Sequence, residues 1–572
     1  MIKEQILKVL IEVIKKLAVE NIEVDLQPPA NAEFGDYSSS IALKLTKILK
    51  KNPMEIAEEI KKNIPKNSYV EKIEVIKPGF INFWISKVQL TSQLHEFATE
   101  KFDFSKYHFG PNKKVMVEFA HPNTLKLFHI GHLRNISTGE TVVRILEAVG
   151  NKVIRSNYQG DVGLHTAKCL YAVRNKKLEM KKLKTTSDKT KFIGKMYTEG
   201  TRAYEEDPKA KEEILKINKM IYDRDPEIMR LWEETRKWSL DYFDEVYKRV
   251  YSHFDRLYFE SEFYERGTEV CMQALKSGIL EKSQGAIVFN GKKHGLDTRV
   301  FINSLGFPTY EGKELGLAEK EFSDFGELDK DIHCVTPEQS SFFKITFKVE
   351  ELLNEKKYKN KQYHLAYNWV NLKEGKMSSR VGNIIEGPWL IDETKKKIIE
   401  KFKCDNETAE VLAVASVKYS FLKQSVTDAI AFDLEESIAV DGNSAPYLIY
   451  TYVRCQSILR RHTGEGKTKL TTTPESNKDL GQARMTKSEI DILRKFTKFP
   501  EIVHKAAVDL SPNDIANYIY DLASLYNAFY QKNPILKADV ETKKMRLSIT
   551  LATANIIKKG LDLLGIKTVE RM

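Results

Sequence analysis

The chain has 572 residues, 42% hydrophobic and 30% charged, which is the balance of a folded multi-domain protein and excludes a disordered or collagen-like one. No run of about 18 uncharged apolar residues is present, so no membrane span is expected. Net charge is +11, from 91 basic and 80 acidic residues, which permits a polyanionic partner without requiring one. The first turns, from Met1 to Gln5, are charged and lack the apolar region of a signal peptide. Five cysteines (169, 271, 334, 404 and 455) are far apart with no CxxC pair. That spacing argues against a disulfide framework and structural zinc and fits a reducing cytoplasm.

Residues 1 to about 105 read as a small α+β unit. An amphipathic helix is predicted over Ile2 to Val19, with Ile6, Val9, Leu10, Val13, Ile14 and Leu17 on one stripe. A loop follows at Pro28 to Tyr37. Asn52 then caps a helix that begins at Pro53. Strands Val70 to Ile76 and Phe80 to Ile85 are joined by Lys77-Pro78-Gly79.

Residues 106 to 395 read as a Rossmann-type parallel α/β domain, with strand-like runs alternating with helices. The run Val115 to Phe119 reads as a buried strand. Leu133 to Val149, closed by Gly150, reads as a helix, and Val153 to Asn157 as the next strand. Between that first strand and helix stands His121-Pro122-Asn123-Thr124-Leu125-Lys126-Leu127-Phe128-His129-Ile130-Gly131-His132. This puts His129, Gly131 and His132 at a helix N-terminus, where free backbone N–H groups and the helix dipole suit a phosphate. Two imidazoles there can donate to phosphate oxygens, and Gly131 leaves an open surface for an adenine ring. A charged helical insertion is expected over about 174–249. Further strands of the parallel sheet are expected at Thr298 to Asn303, Asp331 to Thr336 and His364 to Leu372. Lys376-Met377-Ser378-Ser379-Arg380 follows as a second motif. Residues 396 to 572 read as an all-α bundle, with helical runs at 409–422, 447–459, 490–507, 515–530 and 546–564.

Taken in this order and at this separation, the two motifs resemble the HIGH and KMSKS signatures of class I aminoacyl-tRNA synthetases. End to end, the chain resembles the arginyl-tRNA synthetase family. Asn31 to Tyr37 and Pro78 to Phe83 resemble that family's additional N-terminal domain. Ser444 to Tyr450, Ser457 to Arg460 and the ending from Leu564 resemble its helical anticodon-binding domain.

The resemblance implies ATP-dependent activation of L-arginine and its transfer to tRNA(Arg), by a cytoplasmic monomer that uses ATP with Mg²⁺ and holds no zinc. It implies His129, His132, Lys126 and Lys376 as catalytic residues. Gly131, Met377, Ser378 and Ser379 complete the ATP site with His129, His132 and Lys376. The second lysine of KMSKS is Ser379 here, and Lys126 takes over its charge. Arginine, a planar cation with five donors, needs carboxylates and neutral acceptors. The resemblance supplies Glu260, Tyr310, Glu314, Gln339, Asn123 and His132. Glu314 stands where the family more often has aspartate. His121 replaces the usual serine and is left out of the site. Gly160, Asp161 and His165 follow the second strand without an assigned role. Phe80 and Asn82 are assigned to the tRNA elbow, and Tyr447, Tyr450 and Tyr526 to the anticodon loop. Activation is expected to need bound tRNA. No editing domain is expected, because a cation-binding site rejects neutral analogues by itself.

Another class I synthetase, a nucleotidyltransferase without tRNA and a non-catalytic paralogue each fit the residues less well. A cysteinyl enzyme would need suitably spaced zinc-ligand cysteines, and a glutamyl enzyme would want arginines in place of Glu260 and Glu314. A nucleotidyltransferase would not need the end domains, and a non-catalytic RNA-binding paralogue is disfavoured by the intact histidines and lysines.

Overall fold

The computed structural model describes all residues except 18, 20, 30, 100, 101, 105, 108, 374–384 and 464–484. At the N-terminus, helix Ile2–Lys16 buries Ile2, Ile6, Leu10, Val13 and Ile14 along one stripe. Strands Val70–Ile76 and Phe80–Ile85 pair antiparallel, and Tyr37–Ser39 adds to the far side of the second. The Asn52 side chain accepts the N–H of Met54 at 2.9 Å, and Pro53 occupies the first helical turn, where its missing N–H costs nothing. This unit docks on the C-terminal bundle. Asp36 meets Arg494 at 3.1 Å, the Tyr37 hydroxyl donates to Glu501, and Phe97, Phe102 and Phe104 pack on Phe499.

The centre is a sheet of five parallel strands. In spatial order they are Gln362–Ala366, Lys330–Val335, Lys114–Glu118, Lys152–Gln159 and Arg256–Phe259. The chain order reverses between Lys114–Glu118 and Lys330–Val335. In such doubly wound sheets the crevice beyond the carboxyl ends of the strands, at the reversal, is where ligands bind. Helix Ile130–Ala148 leaves the first strand there and is buried over most of its length. Gly139 permits this packing: a Cβ on it would lie 2.3 Å from the Phe119 ring.

One expected strand of this sheet belongs elsewhere, and another belongs to it only in part. Arg299–Ile302 joins Glu281–Ser283 and Ala286–Phe289 in a separate antiparallel sheet. Gln284 and Gly285 both take positive φ (48° and 78°), which makes a tight hairpin, and parallel strands need a far longer crossover. The run from 364 to 372 is two strands. Its second part, Val370–Leu372, pairs in parallel with Ile430–Phe432.

The charged insertion forms helices Lys177–Met180, Thr186–Glu206, Pro208–Tyr222 and Pro226–Arg249 around its own apolar core. Their starts are set locally: Thr185 and Asp188 form a capping box, and Asp207 and Asp225 each cap a helix opened by proline. In the C-terminal bundle the 490–507 run splits into Lys487–Thr497 and Phe499–Asp509. Pro500 cannot supply an interior helical N–H, so a new helix starts just before it. Among the described residues no helix is long and apolar enough to cross a membrane.

Candidate active site at the sheet reversal

The loop from Ala120 to His129 is held in costly backbone. Ala120, His121 and Leu125 have φ of 76°, 49° and 63°, a region that side chains other than glycine rarely occupy. Bonds from both sides fix it. Asn135 accepts the Ala120 N–H at 2.7 Å and donates to the Cys334 carbonyl at 2.8 Å. The Thr124 N–H reaches the Gly160 carbonyl at 3.0 Å, and the Leu125 N–H reaches the Ser239 hydroxyl at 3.0 Å.

His129 is the N-cap of helix Ile130–Ala148. Its Nδ1 accepts the N–H groups of Gly131 (3.1 Å) and His132 (3.4 Å), while Nδ1 of His132 accepts the N–H of His129 at 3.2 Å. The N–H groups expected to be free at this helix start are therefore taken by an imidazole. The two rings stack at 3.6 Å. A neutral ring that accepts at Nδ1 carries its proton on Nε2, so each histidine keeps one N–H donor. Burial, reinforced by the Lys126 charge, pushes His129 down to about 4. Burial, with His129, His121 and Lys126, holds His132 well below the usual imidazole range. Both are neutral donors at pH 7. Gly131 is needed for this cap, since a Cβ there would lie 3.0 Å from the His129 ring.

Lys376, Met377, Ser378 and Ser379 lie outside the described residues. The chain on either side of that segment is tied to the same helix. Ile130 N–H donates to the Ile385 carbonyl, and Gly387 N–H to the Phe128 carbonyl, both at 2.8 Å. On the other side, the buried Arg134 guanidinium donates to the carbonyls of Trp369 (2.6 Å), Val426 (3.1 Å) and Asp428 (2.8 Å).

Beside this helix start, a cavity of about 250 Å³ opens at the sheet reversal. Asn123, Tyr310, Glu314 and Gln339 line it, as do Glu118, His121, Tyr158, Val335, Phe342 and Phe343. Its size suits an amino acid better than a nucleotide. Glu314 is buried, and its Oε1 has no hydrogen-bond partner. Burial raises its carboxyl well above the usual range, with His333 opposing and Glu118, Glu350 and Asp331 adding. Burial also acts on Glu118, but the hydrogen bond from His333 and the nearby His121 hold it below the usual range. Tyr310, 63% exposed, separates this cavity from a wider cleft of about 800 Å³ that carries Lys126, His165, Lys219, Lys313 and Phe307.

Glu260 and His132 do not line the cavity. Glu260 is one layer back: its Oε2 accepts from Lys313 at 2.7 Å and its Oε1 from the Tyr158 hydroxyl. In the free protein this buried carboxylate is held in an ion pair with the Lys313 ammonium. His121, left out of the site by the sequence reading, is on the cavity wall with Nε2 at 3.1 Å from the Cys334 carbonyl. Glu118 and Tyr158 line the cavity although the sequence reading does not name them, and His333 stands behind Glu118. The available signal was that Glu118 ends a strand and Tyr158 nearly ends the next, at the carboxyl edge where such sites form. Asp161 fastens the site's flank. Its carboxylate accepts from the Ser261 N–H (2.9 Å), the Ser261 hydroxyl (2.7 Å) and Arg236 Nε (2.9 Å).

The aromatic residues assigned to RNA divide by exposure. Phe80 and Tyr450 are exposed, at 37% and 40%, and Arg454 donates to the Tyr450 hydroxyl at 3.0 Å. Tyr447 is partly buried, and its hydroxyl accepts from Asn527 at 3.1 Å. Asn82 is buried beneath the sheet surface. Tyr526 is fully buried, its hydroxyl donating to Thr550 at 3.0 Å, so it is a core residue with no face to offer an RNA.

Three family models match: the arginyl-tRNA synthetase N-terminal domain over residues 1–85, the catalytic domain of class I (R) tRNA synthetases over 92–434, and the DALR anticodon-binding domain over 448–572. The chain is 31% identical over 563 residues to the arginine–tRNA ligase of Fusobacterium nucleatum subsp. nucleatum, covering 96% of this chain and 95% of that protein. It is 30% identical over 573 residues to that of Treponema denticola, covering 96% and 95%. Among solved structures, the arginyl-tRNA synthetase of Thermus thermophilus shares the fold with a TM-score of 0.79 at 24% identity, over 100% of both chains. That of Plasmodium falciparum does so with a TM-score of 0.83 at 22% identity, over 100% of this chain and 99% of that one.

Proposed function

The chain belongs to the arginyl-tRNA synthetase family and is an aminoacyl-tRNA ligase, and from that premise we propose how its own residues join L-arginine to the 3′-terminal ribose of tRNA(Arg). The guanidinium enters the cavity at the sheet reversal and meets Glu314, with Tyr310 over it and Glu118 beside it. Asn123 and Gln339 hold the α-amino and carboxylate ends. Glu260 acts through Lys313 and Tyr158, fixing the wall rather than touching the substrate.

ATP, as its Mg²⁺ complex, lies with its phosphates at the start of helix Ile130–Ala148. The arginine carboxylate attacks the α-phosphate in line and pyrophosphate leaves. The Nε2–H groups of His129 and His132 donate to phosphate oxygens as their charge develops, and Lys126 and Lys376 neutralise the β- and γ-phosphates. Catalysis is positioning and electrostatics, with no protein nucleophile. Gly131, Met377, Ser378 and Ser379 complete the nucleotide site. Lys376 belongs to a segment whose two flanks are both hydrogen-bonded at this helix, which supports its role. The terminal ribose hydroxyl of the tRNA then attacks the adenylate carbonyl, forming the ester and losing its proton, as the bond from the carbonyl to the phosphate oxygen breaks and AMP leaves. Phe80, Tyr447 and Tyr450 contact the tRNA by stacking on unpaired bases. The enzyme works as a cytoplasmic monomer and needs bound tRNA for the first step.

The observation that carries this reading is the cavity, which gathers Asn123, Tyr310, Glu314 and Gln339 around a carboxylate oxygen that has no partner in the protein. The test is arginine-dependent ATP–pyrophosphate exchange with and without tRNA carrying an arginine anticodon. Exchange only with tRNA supports the whole reading. Exchange without tRNA removes the tRNA requirement. No exchange in either case, with folded protein, overturns the assigned chemistry.

A further inference from the structure

Behind the amino-acid cavity is a buried nest of carboxyls that outnumber the one imidazole, His333, set among them. Helix Tyr310–Asp324 turns Glu314 and Glu321, seven residues apart, toward the same side. Asp331 and His333 alternate onto one face of strand Lys330–Val335. The ligand atoms of Glu321, Asp331 and His333 all lie within 4.8 Å of one another. Glu321, Asp331 and His333 are each 0% exposed. None of the four oxygens of Glu321 and Asp331 has a side-chain hydrogen-bond partner outside this group of acids, within which Glu321 and Asp331 face each other. Two buried carboxyls whose only side-chain hydrogen-bonding neighbours are other acids are unusual in a native core and call for a further partner.

Within the protein the only side-chain partners these oxygens have are acids of the same group and, at 3.8 Å from Asp331, the His333 ring. The groups acting most on Glu321 are Asp331, Glu118 and Glu314, all acids. The imidazole of His333 stands 3.1 Å from Glu118 and 3.8 Å from Asp331, one possible cation among several carboxylates. The donor set itself is informative. Two carboxylates and an imidazole from rigid elements are a three-ligand set for a zinc- or manganese-class ion. Calcium and magnesium prefer all-oxygen shells with carbonyls and water. Glu118 at Nδ1 of His333 is the orienting carboxylate that a metal-bound histidine usually carries on its other nitrogen.

We propose that Glu321, Asp331 and His333 form a binding site for one divalent transition-metal ion, set directly behind the arginine cavity. His333 turns its Nε2 to the ion, exchanging its 2.9 Å contact with Gln362. The ion balances two carboxylates and leaves Glu118 and Glu314 charged toward the cavity. Arginine binding and metal binding are thereby linked. The site itself stands whether or not the aminoacylation reading holds, because it rests on groups outside the cavity lining. The cysteine spacing on which the sequence reading excluded zinc is blind to such a site, whose ligands are one helix residue and a D-x-H pair on a strand.

The test is direct. Full-length protein is stripped with EDTA, its fold checked by circular dichroism, and Zn²⁺, Mn²⁺ and Co²⁺ are titrated in by calorimetry. The expected result is one ion per chain, a rise in Tm on reloading, and visible cobalt bands without thiolate charge transfer. Glu321→Gln and Asp331→Asn each weaken binding by more than about 100-fold, whereas Glu350→Gln, a neighbouring acid outside the set, leaves one ion bound. No uptake by folded wild-type protein overturns the site. So does uptake that neither Glu321→Gln nor Asp331→Asn changes, which would put the ion elsewhere. If the carboxyls instead share protons, no ion binds and Glu321→Gln raises Tm without metal. The wild-type titration and cobalt spectrum decide the matter if either variant fails to fold.

Discussion

The start of helix Ile130–Ala148 and the cavity beside it share one sheet edge, yet they are assembled differently. At the helix start, His129, Gly131 and His132 bond to one another's backbone within a single turn. The cavity draws its wall from around 118–123, 158, 310–314 and 335–343, which only the sheet brings together. A site made by neighbours in sequence inherits its geometry from local hydrogen bonds. A site made by distant segments inherits it from register, such as His333 standing opposite Glu118 across two parallel strands. The first should fail in one chemical step when a residue is changed, and the second should separate residues that touch substrate from residues that hold the wall.

The largest test of that contrast sets Glu314 against Glu260. Glu314→Gln removes the carboxyl that faces the cavity and that would pair as a carboxylate with a bound guanidinium. A lost partner for a buried charge costs about 3–5 kcal/mol, or roughly 10²- to 10⁴-fold in kcat/KM for arginine, with KM for ATP unchanged. Glu260→Gln leaves Lys313 buried and unpaired. It should lower unfolding stability by about 3–5 kcal/mol and affect arginine KM much less. Steady-state exchange kinetics and urea denaturation of both variants check this. An arginine-specific defect in Glu260→Gln with full stability would return Glu260 to the cavity.

At the helix start, Lys126→Ala should slow exchange by about 10²-fold in kcat and leave arginine KM within about twofold, because an electrostatic donor to a developing charge acts on the transition state. An effect on arginine KM alone would move Lys126 from the phosphates to the wider cleft it lines.

The same contrast explains what the sequence discloses. The first helix, the Phe80–Ile85 hairpin, the capped insertion helices and the His129 helix all announce themselves by local periodicity, proline and capping residues. Arg299–Ile302 has the composition of a core strand, and only its hairpin partner reveals that it belongs to another sheet. His121, Glu118 and His333 stay hidden in the same way. Each sits in an apolar strand or loop context, and its chemistry arises from the register between strands. Glu260 was legible as an acid near the site but not as the partner of Lys313, since that pairing joins two helices.

A pH experiment separates the cap from the rest of the fold. His129 titrates at about 4 in the folded chain, against an ordinary value near 6.5. The native state therefore binds fewer protons than the unfolded state between those values. Stability is unaffected above pH 6.5 and falls as pH drops toward 4. His129→Asn keeps a capping acceptor without a titrating group. Between pH 7 and 4.5 the wild type should lose about 2–3 kcal/mol more than His129→Asn in urea unfolding. Equal slopes would mean that the imidazole cap is not buried as described.

The smallest effect extends the comparison to the bundle, where Tyr450 and Tyr526 look alike in sequence and differ only in burial. Tyr450→Ala removes an exposed ring held by Arg454. If that ring stacks on an unpaired base, the loss is about 1 kcal/mol, a rise of roughly fivefold in KM for tRNA with exchange parameters for arginine intact. Tyr526→Phe removes only a hydroxyl that donates to Thr550 inside the core. It should cost about 1 kcal/mol of unfolding stability and leave KM for tRNA where it was. Were Tyr526→Phe instead to raise KM for tRNA at unchanged stability, the bundle would have to open its core to bind RNA. Burial in the free protein would then be no guide to which aromatic residues meet the anticodon.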